Sequence, residues 1–457
     1  AHRLLGNAPL ACATALLFGL HPVQVEGVAW CSALNDPLWL ACGLGCLDAV
    51  LRGRIGTAAA CFALALLAKE NAIVLLPLAL AACWLGRTEG TSEAAAARAV
   101  PPVRSLALAL VAVALGWFAL RVSVFSSIAG GLDRAPIDPV VAAHRASATI
   151  AAFGRQVGLL VVPWPMSPFR ALASVDGQHI QGMATGLVWA FLWVAGIAVA
   201  WRRSRREIAF ALLLIAAQPA MTALRCDRLG AYPIADRYLG TSVLGLALLM
   251  ATALPARLRT AALYGLAAIS AVATLQQIPT WKNQGNLLEH ALQAEPNDPA
   301  LQVMAGRWWL AKQDPERARS SYERAVRLAP PPQQGVVHRS AIEAQVGLGW
   351  CDLQTVGKPN SQTALRAFES AIQQDAQCVD AWIGLGVAHG MAGHATDAER
   401  ALRRAIEIAP NHTSAHFNLA YLYEQQGQRD RARAAAQDAL QCDPNNAAAQ
   451  ALLDRVK

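Results

Sequence analysis

AWIGLGVAHGMAGHATDAERALRRAIEIAPNHTS (381–414) and AHFNLAYLYEQQGQRDRARAAAQDALQCDPNNAA (415–448) are two consecutive copies of one 34-residue unit. Ala398 aligns with Ala432, and seven residues on Ala405 aligns with Ala439. Working upstream, Ala318 and Ala364 occupy the first of these positions and Ala325 and Ala371 the second. Small residues recurring at helical spacing mark where two helices cross. Tyr322, Phe368 and Leu402 fall between them, with Ala436 in the last copy. Pro330, Pro410 and Pro444 close three units, and Leu348-Gly349, Leu385-Gly386 and Leu419-Ala420 mark first helices. A helix pair of this kind cannot bury its apolar face alone and must stack on the next.

That is the tetratricopeptide (TPR) pattern. Four repeats are expected over 299–457, the second longer by three residues around Lys358-Pro359-Asn360. Trp308, Trp309 and Trp382 in the first helices read as inter-repeat core. His412 and His416 share a helix face without a third metal ligand and read as structural.

The first 276 residues are of another kind. Hydrophobic residues make up 55% of the 457-residue chain and charged residues 15%, too apolar for a soluble protein of that length. Residues 1–276 carry 21 basic and 12 acidic side chains, and the remainder carries 18 and 19. The net +8 is therefore a property of membrane loops and not a nucleic-acid footprint. Ten Cys are present without a CxxC pair, so neither a zinc site nor a disulfide framework is indicated. Abundant Ala and a strong excess of Arg over Lys suggest a bacterial source.

Apolar runs near 4–20, 36–51, 55–69, 71–86, 104–125, 182–201, 207–224, 238–254 and 259–276 are candidate spans, several shorter than the roughly 20 residues that cross a bilayer. The predicted architecture is all-α: a polytopic helical membrane domain over 1–276, a connecting helix over 277–298 and a TPR solenoid over 299–457. Arg52, Arg54, Arg87, Arg98, Arg104, Arg202, Arg203, Arg205, Arg206, Arg257 and Arg259 fall on one side of a nine-span path, which makes that side cytoplasmic. The loops at 21–37, 69–71, 126–181 and 225–238, and the repeats, then lie outside. The segment 147–163, which carries Arg155 and runs into VVPWPMSP, fits an interfacial or re-entrant helix.

Three charged clusters fall on that outer side. His21-Pro22 opens a helix that carries Glu26, followed by Trp30 and Asp36. A carboxylate among apolar neighbours must be paired, metal-bound or facing water. Lys69-Glu70 interrupts an apolar hairpin and reads either as a solvated bend with a snorkelling lysine or as an anion site. Asp236-Arg237-Tyr238 follows Arg225, Asp227 and Arg228, and arginines at a membrane face suit a lipid-linked phosphate or ordinary anionic headgroups.

LFGLHPVQVEGVAW (17–30), LLAKENAIVLLPL (66–78), GRQVGLLVVPWPMSP (154–168), ADRYLG (235–240) and a Trp281-centred bridge into repeats, in that order, resemble the transmembrane O-mannosyltransferases with TPR repeats, membrane glycosyltransferases of the GT-C type. The resemblance implies transfer of a sugar, typically mannose, from a polyprenyl-phosphate donor to Ser or Thr of an extracytoplasmic protein, at a bacterial inner membrane. It implies a carboxylate that accepts the hydroxyl proton or holds a divalent cation, and cations that stabilise the departing phosphate. Glu26 is the candidate for the first role or its support, and His21, Lys69, Glu70, Arg228, Asp236 and Arg237 are the candidates for binding substrate. The family's leading acidic motif belongs to an outer loop that would precede Ala1, so the chain reads as N-terminally truncated. The repeats would engage the acceptor polypeptide. The competing expectation is a non-catalytic membrane-anchored TPR scaffold for envelope assembly. A transporter would bury its charges mid-span, whereas these gather at span ends.

Overall fold

The computed structural model describes residues 2–29, 34–86, 101–125, 145–161, 178–223, 236–329, 339–355 and 361–456. The described residues are helical and contain no strand. The chain divides into two compact units, Ala1–Ala294 and Glu295–Lys457.

In the first unit four helices are long and apolar enough to cross a membrane: Val103–Val124, Met183–Arg202, Arg206–Ala223 and Ala256–Trp281. The other expected spans form shorter helices, Ala8–Leu20, Asn35–Leu51, Ile55–Ala68, Leu75–Gly86 and Gly240–Ala253. The run at 4–20 is cut by its own sequence. Gly6 adopts φ +64, Asn7 accepts a hydrogen bond from the Leu10 amide at 2.9 Å, and a new helix starts there with proline in its first turn. Its 13 residues span roughly 20 Å at 1.5 Å per residue, short of a hydrocarbon core of about 30 Å. Likewise the KEN bend at 69–71 leads into a 3-10 turn, Glu70–Val74, before Leu75–Gly86 begins.

Several helix contacts in this unit use small residues and recovered carbonyls. A Cβ on Gly245 would lie 2.6 Å from the Ala211 carbonyl oxygen, so Gly240–Ala253 and Arg206–Ala223 touch through backbone. Pro219 inside Arg206–Ala223 has no N–H to give the Ile215 carbonyl. The Ser242 hydroxyl donates to that oxygen instead, at 2.6 Å. The amphipathic segment forms the helix Arg145–Val161, and the Thr222 hydroxyl donates to the amide oxygen of its buried Gln156 at 2.7 Å. The rest of the Pro-rich stretch (162–168), Trp30, and Arg87, Arg98, Arg134, Arg225 and Asp227 lie outside the described residues.

The second unit stacks Pro299–Ala311 with Pro315–Leu328, Arg339–Gln354 with Ser361–Gln374, Val379–Met391 with Ala395–Ile408, and Thr413–Gln425 with Arg429–Cys442, closed by Ala447–Arg455. These are the four expected helix pairs. Asp298, Asp314 and Asn446 cap their helices by accepting backbone amides. The turns inside the third and fourth pairs use Gly393 at φ +81 and Gly427 at φ +72, and the first pair makes the same turn with Gln313 at φ +61. The aligned large residues are knobs, and the aligned glycines are their holes. A Cβ on Gly306 would lie 2.5 Å from the Tyr322 ring, one on Gly349 2.5 Å from the Phe368 ring, and one on Gly386 2.6 Å from Leu402. Gly347 and Gly384 press Tyr322 and Phe368 from the following pair. Where the last copy has Ala436 as its knob, Ala420 fills the hole, and both are fully buried.

Trp309 and Trp382 pack as half-buried residues against these cores, and Trp308 stands edge-on to Trp309 with ring centroids 4.4 Å apart. His416 lies within hydrogen-bonding distance of the Pro410 carbonyl at 2.8 Å, while His412 faces Asp380 at 4.0 Å, so the two do not share a ligand position. Lys358-Pro359-Asn360 and Pro330 lie outside the described residues.

Candidate functional site

In the first unit two of the motif stretches, 17–30 and 235–240, contribute to the wall of one cavity, and a third, 66–78, reaches it through Lys69, which pairs with the wall residue Asp36. The short helix Gln24–Ala29 packs against the 3-10 turn Asp236–Leu239 and the start of Asn35–Leu51. Between them lies a cavity of about 180 Å³ whose wall includes Phe18, Val23, Gln24, Asp36, Trp39, Gln218 and Gly240. Its lining is largely apolar, with a carboxylate and two amides.

Asp36 ties this wall to the KEN bend, whose charged groups are paired. Lys69, on the KEN bend, forms an ion pair with Asp36, and their side chains are only 14% and 6% exposed. The same ammonium sits 5.3 Å from the centroid of the Tyr238 ring, whose electron-rich face supplements the carboxylate. Glu70 faces Arg121 at 4.0 Å, and Arg121 lies over the Trp117 ring at 5.2 Å. Lys69 is thus neither a solvated snorkelling residue nor an uncompensated anion receptor. An incoming phosphate would have to share the ammonium with Asp36.

Glu26 is 2% exposed and His21 is 6% exposed. The Val23 amide donates to Nδ1 of His21 at 3.3 Å, and burial pushes His21 down to about 4, so the ring is neutral at physiological pH. Asp236 and Arg237 begin the 3-10 turn against the Gln24–Ala29 helix, and Arg228 lies outside the described residues. Among the described residues, no group of three His, Cys, Asp or Glu ligands forms at this cavity.

Two participants were not singled out in the sequence. Arg121 is submerged in the apolar run 103–125, and Gln218 precedes Pro219 in another. The amide oxygen of Gln218 accepts from the Thr241 backbone at 3.3 Å and its hydroxyl at 3.4 Å, tying Arg206–Ala223 to the residues that follow Tyr238. Polar residues within membrane-length apolar runs were the available signal.

The tetratricopeptide repeat family models match residues 360–413 and 391–456. These residues are tetratricopeptide repeats. Among solved structures, MamA is 24% identical, with 37% of this chain and 96% of MamA covered at a TM-score of 0.29. The TPR protein TTC0263 of Thermus thermophilus is 18% identical, covering 42% of this chain and 93% of its own at a TM-score of 0.33. YrrB, described as a TPR protein with an unusual peptide-binding site, is 18% identical, covering 40% and 86% at a TM-score of 0.28. No curated protein matches the chain.

Proposed function

We propose that this is a membrane-embedded TPR protein whose repeat unit binds an extended polypeptide. The observation that carries the reading is the continuous stack of four helix pairs, whose second helices give their large residues to the core and cover their outer sides with ion pairs. Arg403–Glu399 at 2.9 Å and Arg404–Glu407 at 2.9 Å are examples. The first helices keep half-buried and exposed aromatics instead, from Trp308 and Trp309 to Tyr421, which is 47% exposed. Stacked repeats present such a face as one elongated binding surface. The four long apolar helices of the first unit supply the membrane attachment.

A photo-crosslinking residue introduced at Tyr421 or Trp309 in the full chain tests this. Capture of polypeptide from these positions, and not from Arg404 on a second helix, supports the assignment. Equal labelling at all three positions contradicts it.

A second reading is carried by the cavity of the first unit. The stretches 17–30, 66–78 and 235–240 are the ones that resemble the O-mannosyltransferases, and they meet around the Asp36–Lys69 pair. In that reading the apolar wall takes the polyprenyl end of a lipid-phosphate sugar, Glu26 supports proton removal from the acceptor hydroxyl, and Lys69, Arg228 and Arg237 face the leaving phosphate. The repeats then deliver the acceptor from the extracytoplasmic side. Transfer of mannose from polyprenyl-phosphate-mannose to a Ser/Thr peptide by the full-length protein is the decisive measurement, and its absence leaves the scaffold reading alone.

A further inference from the structure

The turn inside the third repeat brings together three side chains that neither reading uses. His389 lies in the last turn of Val379–Met391. Gly393, at φ +81, reverses the chain so that the His394 amide donates to the His389 carbonyl at 2.9 Å. The two imidazole rings then stand with centroids 5.8 Å apart. Asp397 follows three residues on, in the first turn of Ala395–Ile408. One ligand atom from each of His389, His394 and Asp397 lies within 4.8 Å of the others, the only such group among the described residues.

A second observation points to a ligand. Nδ1 of His389 is shielded from solvent and has no hydrogen-bond partner. A ring nitrogen withheld from water ordinarily finds a donor or acceptor, so an unmatched one on a ring beside a second imidazole and a carboxylate marks an unfilled position that a cation would satisfy. The charged neighbours allow it. Arg400 pairs with Asp397 across one helical turn, but the Arg400 side chain is 78% exposed and that of Asp397 41%, so water screens the pair and it can yield to a coordinated ion. Around the His389 ring the negative charges of Asp397 and Glu369 oppose the positive charge of Arg400.

We propose that His389, His394 and Asp397 bind a zinc-class divalent transition metal, with water completing the coordination. Two imidazoles and one carboxylate suit Zn²⁺, Co²⁺ or Ni²⁺ and are a poor set for Mg²⁺ or Ca²⁺, which prefer oxygen. Bonds of about 2.0–2.1 Å place tetrahedral ligand atoms roughly 3.3 Å apart. Binding would draw the exposed His394 ring inward to close that difference. The bound ion would clip the two helices of the third repeat together across their glycine turn, in the middle of the proposed polypeptide-binding stack.

The test is Zn²⁺ titration of the untagged full chain in detergent, by calorimetry and by thermal unfolding, with Mg²⁺ as control and Co²⁺ as a spectroscopic probe. Expected are one site filled at micromolar free Zn²⁺, a rise in unfolding temperature with Zn²⁺ but not Mg²⁺, and visible Co²⁺ absorption. His394→Ala and Asp397→Asn should each weaken this site by about 100-fold, since loss of even an outer-sphere partner costs 10–100-fold. His416→Ala should leave it unchanged. His394 contributes no side-chain cap to its helix, so its replacement does not threaten the fold. Zn²⁺ binding that is absent at millimolar metal, or that survives intact in both His394→Ala and Asp397→Asn, overturns the proposal.

Discussion

At the scale of single residues, the repeat unit is held by volume matching that can be tested one methyl group at a time. Gly349 has no space for a Cβ, because the Phe368 ring already occupies it at 2.5 Å. Gly349→Ala should therefore destabilise the second unit by about 1–3 kcal/mol through overpacking, and in a Phe368→Leu background most of that cost should vanish. A double-mutant cycle by denaturant unfolding reads the coupling, and additive costs would refute the knob-and-hole account. His21 offers a different residue-scale test. Its folded-state value of about 4 lies below the ordinary 6.5, so between those limits the unfolded chain binds a proton that the folded chain refuses. Stability is then full above pH 6.5 and is lost as pH falls toward 4, by about 3 kcal/mol in all. His21→Asn, whose Oδ1 can accept the Val23 amide in place of Nδ1, should flatten that limb of the pH–stability curve in detergent.

Among elements, Arg206–Ala223 shows how a broken helix is repaired by its neighbour. Ser242→Ala strands the Ile215 carbonyl and should cost about 1–3 kcal/mol, whereas in Pro219→Ala the helix regains its own N–H and Ser242→Ala should become nearly neutral. Unfolding of the four proteins in detergent decides it. The same scale shows what the sequence could tell. The four helix pairs were legible because each position recurs, so that Ala318, Tyr322 and Ala325 in one copy explain Ala364, Phe368 and Ala371 in the next. Hydropathy located the apolar helices of the first unit but overstated their lengths, since Gly6-Asn7 stops one helix and the 3-10 turn Glu70–Val74 delays another. The Asp36–Lys69 pair was not legible. Its members are 33 residues apart, one in the first turn of a helix and the other on a bend, and no periodicity links them. Nor could hydropathy single out Arg121, one cation diluted among apolar neighbours.

For the whole molecule, the question is whether the polar wall of the first unit performs chemistry or only holds helices together, and the two roles separate in their response to paired substitution. If the Asp36–Lys69 pair is purely structural, removing both charges together should be tolerated, because replacing a buried ion pair by apolar groups of similar size is often neutral or stabilising. Removing one alone strands a charge and costs about 3–5 kcal/mol. Asp36→Leu/Lys69→Met should then unfold like the wild type while Asp36→Leu alone is strongly destabilised. Sugar transfer gives the opposite ordering. An ammonium that meets a phosphate cannot be replaced by Met, so the stable double variant should be inactive. Glu26→Gln and Arg237→Ala should each lower transfer by about 100-fold or more, within the range expected for lost proton transfer or charge stabilisation. The experiment is therefore one set of variants read twice, for unfolding and for mannose transfer by the full-length protein. A double variant that is stable and fully active would remove Lys69 from any role in catalysis, and the cavity would stand as packing within the first unit.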